Sequence, residues 1–335
     1  MSKYLRDVWY MAAWEQEIEG TGILARTFLG EPVMLFRKQD GTGYAMLADR
    51  CPHRFAPLSL GKRDGDLIQC PYHGLTFDQT GACVRNPIAI GIPQSAKVSS
   101  YPVVARDRIV WFWAGDPSSA DPGLIPDFSF MHGRNLLLRR SWFNGNYELL
   151  TDNLMDLSHV DFVHTGTFNN GGAHRAGSYR VKEDNDGAIW SRWNLPVLRR
   201  PPFLAGLARD DVTIVQELDM RWHPPASMML EIHWLREGST REQAIYRMQN
   251  PHIATPETES SSHYFWTCDP TPEAESFARA VFDDEDKPMI EAVQRRMGNK
   301  DFWDLNPVIL SSDAGGIHCR RRLLKLLRGE ATTGG

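Results

Sequence analysis

The feature that most constrains this 335-residue chain is a pair of short segments, Cys51-Pro52-His53 and Cys70-Pro71-Tyr72-His73, with sixteen residues between His53 and Cys70. Each segment offers one thiolate and one imidazole. Thiolates are soft donors that iron–sulfur clusters and zinc both take. Common zinc frameworks group like donors, as Cys-x2–4-Cys and His-x3–5-His, whereas here Cys and His alternate. Mixed pairs suit a [2Fe–2S] cluster whose two irons carry different ligands, two histidines replacing two cysteines on one of them. The competing readings are a zinc site and two buried cysteines beside two histidines by chance. Pro52, Pro57 and Pro71 stiffen the loops, and Gly74 relieves crowding beside the last ligand. The stretch predicts an electron-transfer site made by Cys51, His53, Cys70 and His73.

The chain is long enough for two domains of ordinary size. Its 42% hydrophobic and 24% charged residues allow a buried core throughout. A net charge of −5, from 37 basic and 42 acidic residues, argues against a general nucleic-acid partner. No apolar run approaches membrane-spanning length. The opening "MSKYLRDVWYMAAWEQEIEG" has acids where a secretion signal needs an apolar stretch, so a cytoplasmic protein is expected. Of five cysteines, Cys83, Cys268 and Cys319 read as reduced packing residues.

Residues 1–120 read as an all-β domain. "PVMLFRK", "GYAMLAD", "DLIQC", "LTFDQTGAC" and "RIVWFWAGD" are short β-rich runs punctuated by Gly, Pro and Asp. "GDPSSADPGLIPDF", at 115–128, reads as the boundary. Residues 121–335 read as an α+β catalytic domain, an antiparallel sheet with packed helices in a helix-grip-like arrangement. "SWFNGNYELLTDNLMDLSHVDFVH" reads as a strand running into a helix, and five further runs between 187 and 269 as strands. Residues 272–298 read as one or two helices interrupted near Pro288, and a last helix at 314–328 as capped by Asp313.

A second metal site is expected in Asn153-Leu-Met-Asp156-Leu-Ser-His159-Val-Asp-Phe-Val-His164. Two histidines with a carboxylate form the facial triad of non-haem iron(II) oxygenases. His159 and His164 are five apart, and at 3.6 residues per turn they diverge by well over a quarter turn. The helix must therefore loosen or end between them, for example through a π-type bulge. Asp161 reads as a solvated charge. The alternative is two ordinary polar histidines on a partly buried helix.

"CPHRFAPLS" and "CPYHGLTFD" resemble the cluster loops of Rieske non-haem iron oxygenases, with Phe55 and Leu75 where the family often has Gly and Trp. Leu75 is similar to the branch that includes vanillate O-demethylases and dicamba monooxygenase. "DNLMDLSHVDFVH" resembles the Asn-x-x-Asp-x-x-His-x4-His signature of their catalytic domains, and "DAGGIHCRRRLLKLL" resembles vanillate O-demethylase C-termini. "EDKPMIEAVQRR" resembles the helix that supplies the carboxylate ligand, which places it at Asp286 rather than at Asp283, Asp284 or Glu285. The resemblance thus implies His159, His164 and Asp286 as iron ligands, and catalytic parts for Asn153 and Asp156. It further implies a homotrimer in which the Asp156 carboxylate bridges a Rieske histidine of one subunit, matching His73, and an iron histidine of its neighbour, matching His159.

The implied reaction uses O2 and electrons from NADH, delivered by a separate ferredoxin or flavin-dependent reductase; the chain itself has no Gly-x-Gly-x-x-Gly fingerprint. The basic run Arg320-Arg321-Arg322, with Lys325 and Arg328, reads as a docking face or a solvated helix face. The branch implies a small aromatic acid, with O-demethylation of a methoxylated benzoate first and ring dihydroxylation or methyl hydroxylation as rivals. Outside that class stand a Rieske-type electron carrier and a zinc-binding module. His252, Arg247 and His233 are candidates to hold the acid, and Phe277, Leu230, Trp266 and Met229 to wall it. His252 falls near a histidine that contacts the substrate carboxylate in dicamba monooxygenase, while Leu230 or Glu231 stands where that enzyme has an Asn.

Overall fold

The computed structural model describes residues 3–19, 22–200, 204, 206–209 and 211–329. The chain forms two compact units, one spanning Ser2–His132 with Thr255–Glu259 and the other Gly133–Ala254 with Ser260–Gly335.

The first unit is β throughout, apart from short helical turns, and two of its strands explain where the thiols sit. Glu31–Arg37 and Tyr44–Ala48 pair antiparallel, Val33 opposite Ala48 and Arg37 opposite Tyr44. Successive side chains on a strand point to opposite faces. Val33, Leu35, Tyr44 and Met46 enter one apolar cluster. Met34, Phe36, Ala45 and Leu47 enter another, which also holds Cys51 and Cys70. The same two strands therefore separate two cores, and both candidate thiols are rooted in the second. Burying each large apolar side chain contributes about 1.5–3 kcal/mol, so loops tied to this core are held firmly. The second loop joins Leu67–Gln69 to Thr76–Phe77, paired with Ile68 opposite Phe77. The strand Trp9–Trp14, absent from the sequence reading, is buried along its whole length and pairs with Ile109–Trp113.

The second unit is built on a seven-stranded sheet in the order Leu137–Phe143, Ser261–Cys268, Tyr246–Thr258, Ser227–Arg236, Ile214–His223, Ile189–Pro196, Ser178–Glu183. Neighbours pair antiparallel, as Leu137 opposite Cys268, Leu230 opposite Asn250 and Met220 opposite Leu230. On one face Trp193, Leu195, Ile214, Leu218, Ile232 and Trp234 pack beneath Leu157 and Val160. That packing seats the segment carrying His159 on the sheet.

The helix Tyr147–Met155 begins at Asn146, whose side chain accepts from the Glu148 amide. It stops at Asp156, whose backbone is extended, with φ −119° and ψ 92°. Ser191 on the sheet donates to the Met155 carbonyl at 2.6 Å, capturing the helix end. The chain then makes a 3-10 turn, Leu157–His159, and a single helical turn, Val160–Val163. The regular helix thus ends before His159 and not between the two histidines, which are joined by the single turn Val160–Val163. The π-helical segment lies elsewhere, at Ala280–Asp286, joining Pro272–Arg279 to Lys287–Met297. Pro288 sits in the first turn of that last helix, where it needs no amide partner, and breaks nothing.

The final helix is Ala314–Leu327. Asp313 stands at its N-cap position but makes no side-chain cap; its carboxylate accepts instead from the Leu310 amide. Gly315 lets this helix approach closely, since a Cβ there would meet the Met155 carbonyl at 3.1 Å. Arg320 belongs to the interior, not to a basic face. It is 6% exposed, with Nε 2.8 Å from Asp152 Oδ1 and Nη1 2.8 Å from Glu148 Oε2, and its guanidinium lies over the Phe302 ring. Removing one partner of a buried ion pair strands the others. Arg320→Ala is therefore expected to cost about 3–5 kcal/mol of stability, read as a lower urea midpoint, while exposed Arg321→Ala stays within about 0.5 kcal/mol of the parent.

Candidate functional site

The two cluster loops repeat one backbone pattern. The Cys51 amide donates to the Ala56 carbonyl and the Phe55 amide to the Cys51 carbonyl; the Cys70 amide donates to Leu75 and the Gly74 amide to Cys70. Phe55 and Gly74 hold equivalent places with positive φ, 60° and 75°. Glycine takes that conformation freely, whereas a bulky aromatic there is an outlier. Phe55 is also 70% exposed. Burial raises the Cys51 thiol above its ordinary pKa; the His53 amide pulls the other way, and the adjoining Cys70 thiol adds to the rise. A nearby cation would reverse that balance. The His53 and His73 rings lie 4.5 Å apart, and among the described residues the buried His73 Nδ1 has no hydrogen-bond partner. Two adjoining thiols and two adjoining imidazoles, one with an unmet inner nitrogen, fit the donor set of a [2Fe–2S] cluster.

In the second unit, His159, His164 and Asp286 bring one ligand atom each to within 4.8 Å of one another. Asp286 Oδ1 lies 3.5 Å from His159 Nε2 and 3.3 Å from His164 Nε2. The opposite ring nitrogens are engaged. His159 Nδ1 lies 2.6 Å from the Asp156 carbonyl, and His164 Nδ1 lies 2.7 Å from Glu285 Oε2. Each Nδ1 thus donates, and a bound cation would take the place of the proton that each Nε2 otherwise shares with Asp286. Thr167 also donates to Glu285, and Asn153 Nδ2 donates to Asp286 Oδ1 at 3.1 Å. Burial opposes charge on Asp286, but its hydrogen bonds to the two imidazoles prevail and hold its pKa down at about 2. For His164, burial likewise works against the charged form, and Asp286 and Glu285 outweigh it and raise the pKa. A negative, converging pocket of two nitrogens and an oxygen fits a divalent iron.

The π turn explains how Glu285 and Asp286, adjacent in sequence, serve opposite ends of one imidazole. Asp156 differs from expectation in one respect: within the chain its main-chain carbonyl, not its carboxylate, meets His159. The carboxylate Oδ1 accepts from the Ser158 amide, and among the described residues Oδ2 has no hydrogen bond. Asp161 is not a solvated charge. Its side chain is 10% exposed, pairs with His174 at 3.1 Å and accepts from the amides of Asn170 and Gly172.

The triad forms one side of a mainly apolar cavity of about 170 Å3. Phe277, Val281 and Phe282 wall it from the helical side, and Leu230, Met248 and Asn250 from the sheet. His252 and Thr267 line it too, each fully buried. Burial pushes His252 down to a pKa of about 4, so the ring is neutral at neutral pH. Arg247 and His233 are not in this cavity. They lie on the other face of the sheet from Leu230 and His252, where Arg247 Nε bonds Glu231 at 2.9 Å and His233 Nε2 lies 3.6 Å from the same carboxylate. Met229 shares that outer face by strand parity. Trp266 stacks edge-on against Phe282, behind the wall. Asn250 and Thr267 were not among the sequence candidates; the signal for Thr267 was a small hydroxyl residue following the aromatic run of "HYFWTC".

The chain matches the Rieske [2Fe-2S] domain over residues 8–102 and the vanillate O-demethylase oxygenase C-terminal domain over residues 143–329. It is 35% identical to the oxygenase component of chloroacetanilide N-alkylformylase from Rhizorhabdus wittichii, over 98% of this chain and 97% of that one. It is 37% identical to the oxygenase component of dicamba O-demethylase from Stenotrophomonas maltophilia, over 98% and 99%. The crystal structure of dicamba monooxygenase bound to dicamba superposes with a TM-score of 0.85 at 36% identity, covering 97% of this chain and 98% of that one. Paired cluster loops, a converging iron triad and likeness along nearly the whole chain lead to one conclusion: this protein belongs to the Rieske non-haem iron oxygenases, as an oxygenase component of the vanillate O-demethylase type.

Proposed function

We propose that this chain is the terminal oxygenase of a multicomponent system that O-demethylates a small methoxylated aromatic acid. The observation that carries the reading is the cavity itself: mainly apolar, with the metal triad and a few polar groups, Asn250, His252 and Thr267, in its lining. Its volume of about 170 Å3 compares with the roughly 150 Å3 apolar cavity that accepts benzene in a protein core, which suits one ring. The dicamba and vanillate relatives are O-demethylases by name, which favours loss of a methyl group over ring dihydroxylation.

In this reading residues 1–120 receive electrons and residues 121–335 carry out the oxidation. Cys51, His53, Cys70 and His73 hold the [2Fe–2S] cluster; His159 and His164, through Nε2, and Asp286 hold iron. When bound, these groups supply electron transfer and reductive activation of O2. The chain's own residues do the rest. Asn153 and Glu285 fix the ligands' orientation, Phe277, Val281 and Phe282 keep water from the reacting carbon, and His252 holds the ring so that its methoxy carbon faces the triad. Hydroxylation of that carbon gives a hemiacetal, which releases formaldehyde and leaves a phenol. The relatives named as oxygenase components support a separate ferredoxin or reductase that delivers NADH-derived electrons. Among the described residues no helix is long and apolar enough to cross a membrane, and the reading places the enzyme in the cytoplasm. Exposed Phe55, Leu60 and Tyr72 around the cluster loops suit contact with a second copy in a homotrimer. There the unpartnered oxygen of Asp156 would meet a neighbour's His73.

Asp286→Ala should lose mononuclear iron by metal analysis yet keep the cluster's visible absorption; iron occupancy that survives would move the third ligand elsewhere. Asp156→Asn should keep both metals and lower turnover roughly 100-fold or more, and loss of the cluster would point to a structural part instead. Iron-loaded protein given NADH, a surrogate reductase and a panel of methoxybenzoates should release formaldehyde in step with O2 consumed. Uptake without formaldehyde would sink the demethylase reading and direct the search to diols.

A further inference from the structure

His252 and Tyr264 stand on neighbouring strands, Tyr246–Thr258 and Ser261–Cys268, with the phenol oxygen 2.6 Å from His252 Nδ1. His252 is 1% exposed and Tyr264 3%. His252 lines the cavity, and among the described residues its buried Nε2 has no hydrogen-bond partner. A neutral imidazole carries one N–H and one lone pair, and which nitrogen has the proton is set by the bond the other makes. Two arrangements are open. If the phenol donates to Nδ1, the ring proton sits on Nε2, and that single N–H is left for a ligand. If Nδ1 donates to the phenol oxygen, both the phenol hydrogen and the Nε2 lone pair stay unmet. Unmet buried polar groups are costly, so the first arrangement prevails. Burial also raises the Tyr264 pKa well above its ordinary value, so the phenol keeps the proton it donates.

We propose that Tyr264 is a positioning residue: by donating to Nδ1 it fixes His252 as a hydrogen-bond donor into the cavity, and so selects aromatic substrates bearing an oxygen acceptor beside the ring. The Thr267 hydroxyl, buried without a hydrogen-bond partner among the described residues, is a second polar group in the lining of the same cavity. Recognition here is by acceptor character and not by charge, so a carboxylate, an amide carbonyl and a ketone share the required chemistry. The inference rests on the cavity being the substrate site of the oxygenase.

The test is calorimetric titration of the anaerobic, iron-loaded holoenzyme with two near-isosteric probes that share a methoxy group, 3-methoxyacetophenone, which adds a carbonyl acceptor, and 3-isopropylanisole, which replaces it with a methyl group. The parent should prefer the ketone by roughly tenfold. Tyr264→Phe removes the donor that holds the ring proton on Nε2, so the imidazole must settle its tautomer on binding and the ketone preference should fall by about twofold or more, with the cluster's visible absorption reporting an intact fold. His252→Leu, which removes both nitrogens, should bring the preference to near unity and serves if Tyr264→Phe fails to fold. An unchanged preference in Tyr264→Phe, or one that survives in His252→Leu, overturns the proposal, as does parallel weakening of both probes in Tyr264→Phe, which would mean simple packing. Because binding is read apart from turnover, intact selectivity with no oxidation of any probe would sink the demethylase reading and leave this one standing.

Discussion

Two imidazoles and a carboxylate must be held within bonding reach of one point, and much of the second unit is arranged to make that possible. Each of these groups would rather face water. They stay because their far sides are satisfied: His159 by the Asp156 carbonyl, His164 by Glu285, and Asp286 by Asn153. The helix Tyr147–Met155 has to end before its periodicity carries His159 away, and Ser191 marks the ending by taking the Met155 carbonyl. Arg320 then ties that helix to the last one through Asp152 and Glu148. A triad that looks local in sequence thus depends on a sheet residue and on a helix some 160 residues downstream.

The cluster loops reach the same end by a different route. Their cysteines are rooted in an apolar core, and their histidines stand at the outer edge. Two matched turns, one closed by Gly74 and one by Phe55, set the rings side by side. Holding an aromatic residue in the left-handed region costs on the order of 1–3 kcal/mol, and Phe55 does so with its ring 70% exposed.

Much of this was legible in the sequence where the physics is local. Alternating cysteine and histidine, Pro-marked loops and alternating apolar strands announced the first unit. The five-residue histidine spacing announced a disturbed helix. What stayed hidden depended on distant partners. Asp161 looked solvated because His174 and the Gly172 amide are brought to it only by a later turn. Arg320 looked like one of a basic run, since nothing nearby in sequence reveals that Glu148 and Asp152 wait beneath it. Arg247 and His233 were misplaced for a simpler reason: strand parity puts them opposite Leu230 and His252, and parity is fixed only once the apolar face is known. The strand Tyr246–Thr258 runs through Pro251 and Pro256, residues that from sequence alone argue against an interior strand.

The cavity's walls come from two kinds of element. The three metal-facing groups all sit on helical segments, 156–164 and 280–286, whereas Asn250, His252 and Thr267 sit on strands. The two sets meet on the π turn, where Val281 and Phe282 wall the cavity and Asp286, four residues beyond Phe282, belongs to the triad. A substitution on a strand reshapes the cavity and leaves the segments that hold the triad as they are, whereas one at Val281 or Phe282 works on both at once.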